Sequence, residues 1–424
     1  MRHLRAGGPA KAAVLTALAV AAAAACSTSP PGGDQGGTGP GVTAKTIKLG
    51  YLTDLSGAIS GQGRVDLAGS RMYLDRLNSS GGVCGRKIEL TVEDHGYDVQ
   101  KAISLYRKTT PNVLGYLSLL GSPQFEALKS KIQSDHAVTG VLGWDSNSLT
   151  SPDVLVYGTP YDLETISGIG YLVDQKILRK GDTLGHIYWQ GSYGENALRG
   201  AKFAASKFGL KLVPVQVDPA ESDLTRQVRG LQSQKVKAIM LSTLPTQAAS
   251  VASVTSSSGW RVPILGNSAA FLPQLLKTPA ADALQKQFYL ASSRLPFGAD
   301  NPVAKDIQQQ FDKARPQGIK SGEDGINVGW AAAQVYTEVL KKACASGDLT
   351  RANVEKALRA SSAVDTGGLL PTLDYSQVGA PPSRSVYISR PDAKQPGGLR
   401  LLTKDLYTAK AAAEYRTPGQ ADGG

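Results

Sequence analysis

The run "TIKLGYLTDLSGAISGQGRVDLAGSRMYLDRLNSSGG", residues 46–82, decides the fold. Its first eight residues are apolar-rich and end at a polar loop, the pattern of a buried strand. "DLSGAISGQG" (54–63) is that loop, and a helix follows. Val65, Ala68 and Met72 fall at helical spacing, with Leu67 and Leu74 on another face, so the helix packs on two sides until Gly81 and Gly82 stop it. Beyond it, "KIELTVEDHGYD" (87–98) reads as a strand, "VQKAISLYRKTT" (99–110) as a helix and "NVLGYLSLLGS" (112–122) as a strand. Strands alternating with helices in this way argue for a parallel sheet covered by helices on its faces.

The same pattern restarts further along. "TLGHIYWQG" (183–191) is a strand, "SYGENALRGAKFAASKFG" (192–209) a loop and helix, and "LKLVPVQV" (210–217) a strand. "DLTRQVRGLQSQ" (223–234), "KAIMLST" (237–243), "PTQAASVASVTSSSG" (245–259) and "VPILGN" (262–267) continue it as helix, strand, helix, strand. Two helices, in "GINVGWAAAQVYTEVLKKACASG" and "DLTRANVEKALRASS", come near the end. Two such units predict two α/β lobes facing each other. Ligands of parallel sheets bind at the carboxyl ends of the strands, so the cleft between the lobes is the expected site.

The ends of the chain read differently. Arg2, Arg5 and Lys11 precede an almost wholly apolar run from Ala12 to Ala25, and no Asp or Glu occurs before Asp34. That run suits a signal-peptide core and is shorter than the roughly 20 residues that cross a bilayer. Ala23-Ala24-Ala25-Cys26 resembles the lipobox of bacterial lipoproteins, whose cysteine is lipidated and becomes the N-terminus. Ala23 stands where such boxes usually carry Leu, so an ordinary secretory signal is the other reading. The expected division is therefore a signal in 1–25, a membrane anchor at Cys26 and a flexible Gly/Pro-rich tether over 26–45. A flexible tail is expected over 406–424. Cys84 and Cys344 are an even pair in an exported chain, which suggests a disulfide, with two separate buried thiols as the alternative.

Composition and spacing exclude several functions. The net charge of +11 includes the three basic residues of the leader, and the rest are interleaved with acids. No basic stripe alternates with aromatics, so nucleic-acid binding is not expected. Gly266-Asn267-Ser268-Ala269-Ala270 approaches a nucleophile elbow but lacks its last glycine, and no histidine follows His186. His95, His136 and His186 lack the short spacings of a zinc site. "GQGRVD" has Asp66 where a dinucleotide loop needs glycine. No enzyme, cofactor or metal is expected.

Three segments carry a family likeness: "IKLGYLTDLSGAISGQG", "LNSSGGVCGRKIELTVEDHGYD" and "QGSYGENALRGAKFAASKFGLKLV". They resemble the leucine/isoleucine/valine-type extracellular solute-binding proteins of ABC importers, with the type I periplasmic-binding-protein fold. The resemblance implies two Rossmann-like lobes joined by three crossovers, near Tyr161, Ser293 and Val364. Lobe 1 would be 46–160 and 294–363, and lobe 2 would be 161–293 and 364–405. Both Cys84 and Cys344 then fall in lobe 1. It also implies a ligand met by Ser122, by Gly143, Trp144, Asp145 and Ser146, and by Tyr193, with Gln62 where an aromatic lid residue often lies. Asn267 and Ser268 occupy the loop where amino-acid binders of the family often carry a carboxylate for the ligand ammonium. Asp145 could supply that charge from the other lobe; equally, Asp145 and Asn267 could serve a polyol, an amide or another polar solute. The implied function is a lipid-anchored, monomeric receptor that gives a small polar solute to an ABC permease. A branched-chain-type amino acid is favoured; an amide, urea-like solute or polyol, or sensing without transport, is the alternative.

Overall fold

The computed structural model describes residues 38–421. The signal segment, Cys26 and the tether up to residue 37 lie outside the described residues.

The first lobe begins with β1 (Thr46–Thr53), α1 (Ser60–Ser79), β2 (Lys87–Asp94), α2 (Val99–Thr109), β3 (Tyr116–Leu119), α3 (Ser122–Asp135), β4 (Thr139–Val141) and β5 (Val154–Val156). Its five strands form one sheet in the order β2-β1-β3-β4-β5, parallel throughout. The chain then enters the second lobe with α4 (Tyr161–Asp174), β6 (Thr183–Trp189), α5 (Ser192–Phe208), β7 (Lys211–Val217), α6 (Thr225–Ser233), β8 (Ala238–Ser242), α7 (Pro245–Ser257), β9 (Ile264–Asn267), α8 (Ala281–Gln287) and β10 (Phe288–Ser292). It returns to the first lobe as α9 (Pro302–Ala314), α10 (Asp324–Ala345) and α11 (Arg351–Arg359). It ends in the second with β11 (Tyr387–Pro391), β12 (Leu399–Leu401), α12 (Lys410–Glu414) and α13 (Pro418–Ala421). The second sheet runs β12-β11-β10-β9-β8-β6-β7. Its body is parallel, and β11 and β12 close one edge antiparallel.

The opening stretch explains how the first lobe holds together. Ile47, Leu49, Tyr51 and Leu52 of β1 are fully buried, as expected of a central strand in a two-faced sheet. The helix starts at Ser60, so "SGQG" forms its first turn and Gln62 is helical. Val65, Leu67, Ala68, Met72 and Leu74 are all buried, which satisfies both faces. One face lies against α10 at very close range: a Cβ on Gly69 would come within 2.1 Å of the Ile326 carbonyl oxygen, and one on Gly329 within 1.9 Å of the Asp66 carbonyl oxygen. Only glycine permits that approach. Cys84, just after α1, forms a disulfide with Cys344 near the end of α10, closing a sequence separation of 260.

The crossovers converge on one point. The Thr159 amide donates to Ser293 Oγ at 3.0 Å, and the Thr159 hydroxyl donates to the Ser385 carbonyl at 2.7 Å. The third crossing therefore lies near Ser385, which corrects the expectation of Val364. Residues 364–382 stay with the first lobe. Tyr375 Oη donates to the Val156 carbonyl at 3.0 Å, and the Gly379 amide to the Leu149 carbonyl at 2.8 Å.

Two further expectations need correction. Residues 38–45 are not a free tether: Thr38 bridges Leu349 and Val42 bridges Ile47. The tail does not dangle up to Ala421. Ala411, Ala412 and Tyr415 are buried in the core of the second lobe with Leu163, Ile166 and Ala201, and Thr417 is fully buried. Its apolar residues are mostly alanines, too small to announce a core by themselves, but they meet a waiting surface.

Candidate functional site

Between the lobes lies a cavity of about 150 Å³. Each wall is a loop or helix start at the carboxyl end of a strand. After β1 come Ala58, Ile59 and Gln62; after β2, Tyr97; after β3, Leu120, Gly121 and Ser122; after β4, Leu142 and Gly143. The second lobe adds Tyr161, Tyr193, the Leu244-Pro245-Thr246 turn after β8, and Ala269 and Leu272 after β9. Arg294, two residues beyond β10, completes it. Aliphatic and tyrosine side chains predominate. Arg294 is the one charged residue lining the cavity among the described residues.

The tyrosines are held from behind. Tyr97 takes a left-handed conformation (φ 62°), and its carbonyl accepts from Gln124 Nε2 at 2.8 Å. Tyr193 stacks edge-on against Tyr161 with centroids 4.7 Å apart, and its hydroxyl donates to Asn267 Oδ1 at 2.6 Å. Tyr97 approaches Trp189 across the lobes at 6.3 Å, and Gln274 of the second lobe donates to Glu323 of the first. The lobes are thus in contact around the cavity.

Arg294 is 8% exposed. Its guanidinium lies 4.8 Å from the Trp144 ring centroid, a cation–π contact. The nearest carboxylate is Asp324 at 3.7 Å, beyond hydrogen-bond reach, and Nε has no partner. Among the described residues, Asp324 is its one ion-pair partner. Burial opposes its charge, but Asp324 and Asp66 outweigh that effect and hold its pKa above the usual value. The pKa values of the carboxyls around it are raised too, which in their case disfavours the charged form. Burial pushes Asp66 up to about 8, although Arg294 and the Gln62 amide, donating at 2.6 Å, pull it down. Burial likewise raises Glu164 to about 7, while it accepts from the Ser268 and Ser293 amides at 3.1 Å each. Burial thus works against the charge of the carboxyls that surround Arg294.

Of the residues marked from sequence, Gln62, Ser122, Gly143 and Tyr193 line the cavity. Trp144, Asp145, Ser146, Asn267 and Ser268 do not. Trp144 lies beneath Arg294, and Asn267 supports Tyr193. Ser268 turns its amide to Glu164. Ser146 donates to Asp162 Oδ2 at 2.6 Å. Asp145 is a correction: it caps the turn that follows, accepting from the Asn147 amide at 2.9 Å, and sits 3.7 Å from Arg199. It is not among the residues that line the cavity. Sequence reasoning missed Tyr97, Tyr161, Leu244, Leu272 and Arg294. The signal for Arg294 was available, as a basic residue directly after the apolar strand "FYLASS".

A family profile described as "Periplasmic binding protein" matches residues 46–396. A fatty acid ABC transporter substrate-binding protein from Thermomonospora curvata superposes with a TM-score of 0.86 at 40% identity, over 90% of this chain and 98% of that one. A branched chain amino acid ABC transporter protein from Thermus thermophilus, solved with bound valine, gives 0.76 at 17% identity, over 88% and 99%, a likeness of fold. The Leu/Ile/Val-binding protein homolog 3 of Brucella melitensis is 22% identical over 339 residues, 78% of this chain and 88% of that one. Among the described residues no helix is long and apolar enough to cross a membrane. With two α/β lobes, three converging crossovers and a cleft built from strand ends, this chain belongs to the periplasmic binding protein family, the solute-binding components of ABC transporters.

Proposed function

We propose that the cleft takes a monocarboxylate with an apolar body, its carboxylate bound by Arg294. The observation that carries this reading is a single buried guanidinium, its Nε without a partner and its ion pair to Asp324 a long 3.7 Å, lining a cavity of aliphatic and tyrosine side chains. A guanidinium fork matches a carboxylate bidentately, and the apolar walls bury the remainder of the ligand. The 40% identical relative named for fatty acids supports the same class. A cavity near 150 Å³ is of the size that holds benzene, which favours a body of about six to eight carbons.

An α-amino acid fits less well. Its ammonium would be buried among residues that include no Asp or Glu, at a cost of several kcal/mol. A polyol, amide or urea-like solute would leave its polar groups against aliphatic walls. The wider reading keeps the chain as a monomeric receptor held to the membrane by a lipid on Cys26, giving its ligand to an ABC permease after the lobes close.

A thermal-shift panel tests the ligand class. It would contain hexanoate, octanoate, benzoate, palmitate, leucine, valine, urea and glycerol. A ligand at about 100 times its dissociation constant adds roughly 2.7 kcal/mol. Hexanoate, octanoate or benzoate should raise Tm while leucine, valine and the uncharged solutes do not. A shift with leucine or valine alone would reject the reading. For the anchor, Cys26→Ser should move the protein out of the membrane fraction.

A further inference from the structure

On the outer side of the first lobe, away from the cleft residues, three side chains from distant parts of the chain come together. They are His136 at the end of α3, Asp153 just before β5 and Glu355 in α11. Their ligating atoms all lie within 4.8 Å of one another. His136 Nδ1 is 3.6 Å from Glu355 Oε2 and 3.9 Å from Asp153 Oδ1. Asp153 is 1% exposed, and neither carboxylate oxygen has a hydrogen-bond partner. A buried carboxylate left unpartnered is costly, and this one is aimed at an imidazole and a second carboxylate.

We propose that His136, Asp153 and Glu355 form a binding site for a zinc-class divalent cation. Ligands about 2.0–2.2 Å from a tetrahedral zinc lie about 3.4 Å apart, close to the separations found here. One imidazole and two carboxylates suit zinc, whereas calcium takes six to eight oxygens. His136 is exposed, so the fourth position faces water.

The backbone around the site is braced. Arg351 donates to the carbonyls of Asp135, at 3.0 Å, and of Thr110, Val113 and Leu114. Arg359, one turn from Glu355, donates to the carbonyls of Pro152 and Tyr375. Both arginines are spent on carbonyls, although the charge of Arg359 opposes a cation to some degree. A bound ion would clip α3 to α11 through the β5 loop, within one lobe and without touching the solute cleft.

The test uses untagged protein treated with EDTA and then dialysed. Titration calorimetry with ZnCl₂ should give one site per chain, and Tm should rise with zinc and not with equimolar CaCl₂ or MgCl₂. His136→Ala, at an exposed side chain, should weaken zinc at least tenfold while the metal-free Tm stays unchanged. Glu355→Gln should do the same, and Asp153→Asn more strongly. The His136 ring resonances should shift on zinc addition. Absence of zinc binding, with the three groups paired only to one another, overturns the proposal. Equal zinc binding by His136→Ala overturns it too, as does a preference for calcium over zinc.

Discussion

Two buried polar centres stand where the lobes meet, and they are built on opposite plans. Around Asp162 every acceptor is used. Its Oδ2 receives Ser146 Oγ at 2.6 Å, Tyr415 Oη at 3.1 Å and Asn196 Nδ2 at 3.3 Å, while Oδ1 receives the Leu163 amide at 2.9 Å. This cluster joins a first-lobe loop, two second-lobe helices and the C-terminal segment. At Arg294 the guanidinium has one ion pair, to Asp324 at 3.7 Å, and its Nε has no partner. A saturated centre is a structural joint. An unsaturated one facing a cavity is a place for something that arrives from outside.

The strongest way to break this comparison is Arg294→Met. If the guanidinium binds the ligand carboxylate, affinity should fall by about 2–5 kcal/mol, or roughly 30- to 5,000-fold, by calorimetry. Folding should survive, because Asp324, already raised by burial, can take up a proton. Asp162→Ala tests the other centre. It removes the acceptor of four donors and should lower stability by about 3 kcal/mol in urea unfolding, with little change in affinity. A large affinity loss there would mean that the two centres are not separate.

Tyr193→Phe should have a smaller effect than either. It removes the 2.6 Å bond to Asn267, whose Oδ1 is then left buried and unpaired, at about 1–2 kcal/mol in stability. The smallest expected effect is on pH dependence. Asp66 and Glu164, raised to about 8 and about 7, favour the protonated form in the fold. The stability they contribute is full below the ordinary carboxyl range, near 4, and is lost as pH rises through about 7 to 8. Tm should decline from pH 5 to pH 9, and Asp66→Asn should flatten the decline.

The sequence made the architecture legible wherever burial is written in consecutive residues. Residues 46–53 and the helix after them could hardly be anything else, because a two-faced sheet needs unbroken apolar strands and Gly81-Gly82 ends the helix. The loops after β1, β3, β4 and β6 were also readable as site-bearing, since topology puts strand ends at the cleft. What could not be read was direction. Asp145 follows Trp144 on the right loop, but its carboxylate turns back to cap Asn147, and composition says nothing about that rotation. Arg294 stood in view after "FYLASS", but its inward direction did not, because a lone basic residue after a strand usually snorkels to solvent. Its burial depends on Trp144 from a distant loop. The tail shows the same limit, since Tyr415 is ordered by Asp162 and Phe203, partners far away in sequence.

The most direct test of the central claim holds the apolar body fixed and changes only its head group. Octanoate and octanamide would be titrated into ligand-stripped protein by calorimetry, alongside leucine. The account predicts measurable binding of octanoate, at least 100-fold weaker binding of octanamide, and none of leucine. Equal affinities for octanoate and octanamide, or binding of leucine alone, would contradict the assignment of Arg294 as the carboxylate anchor.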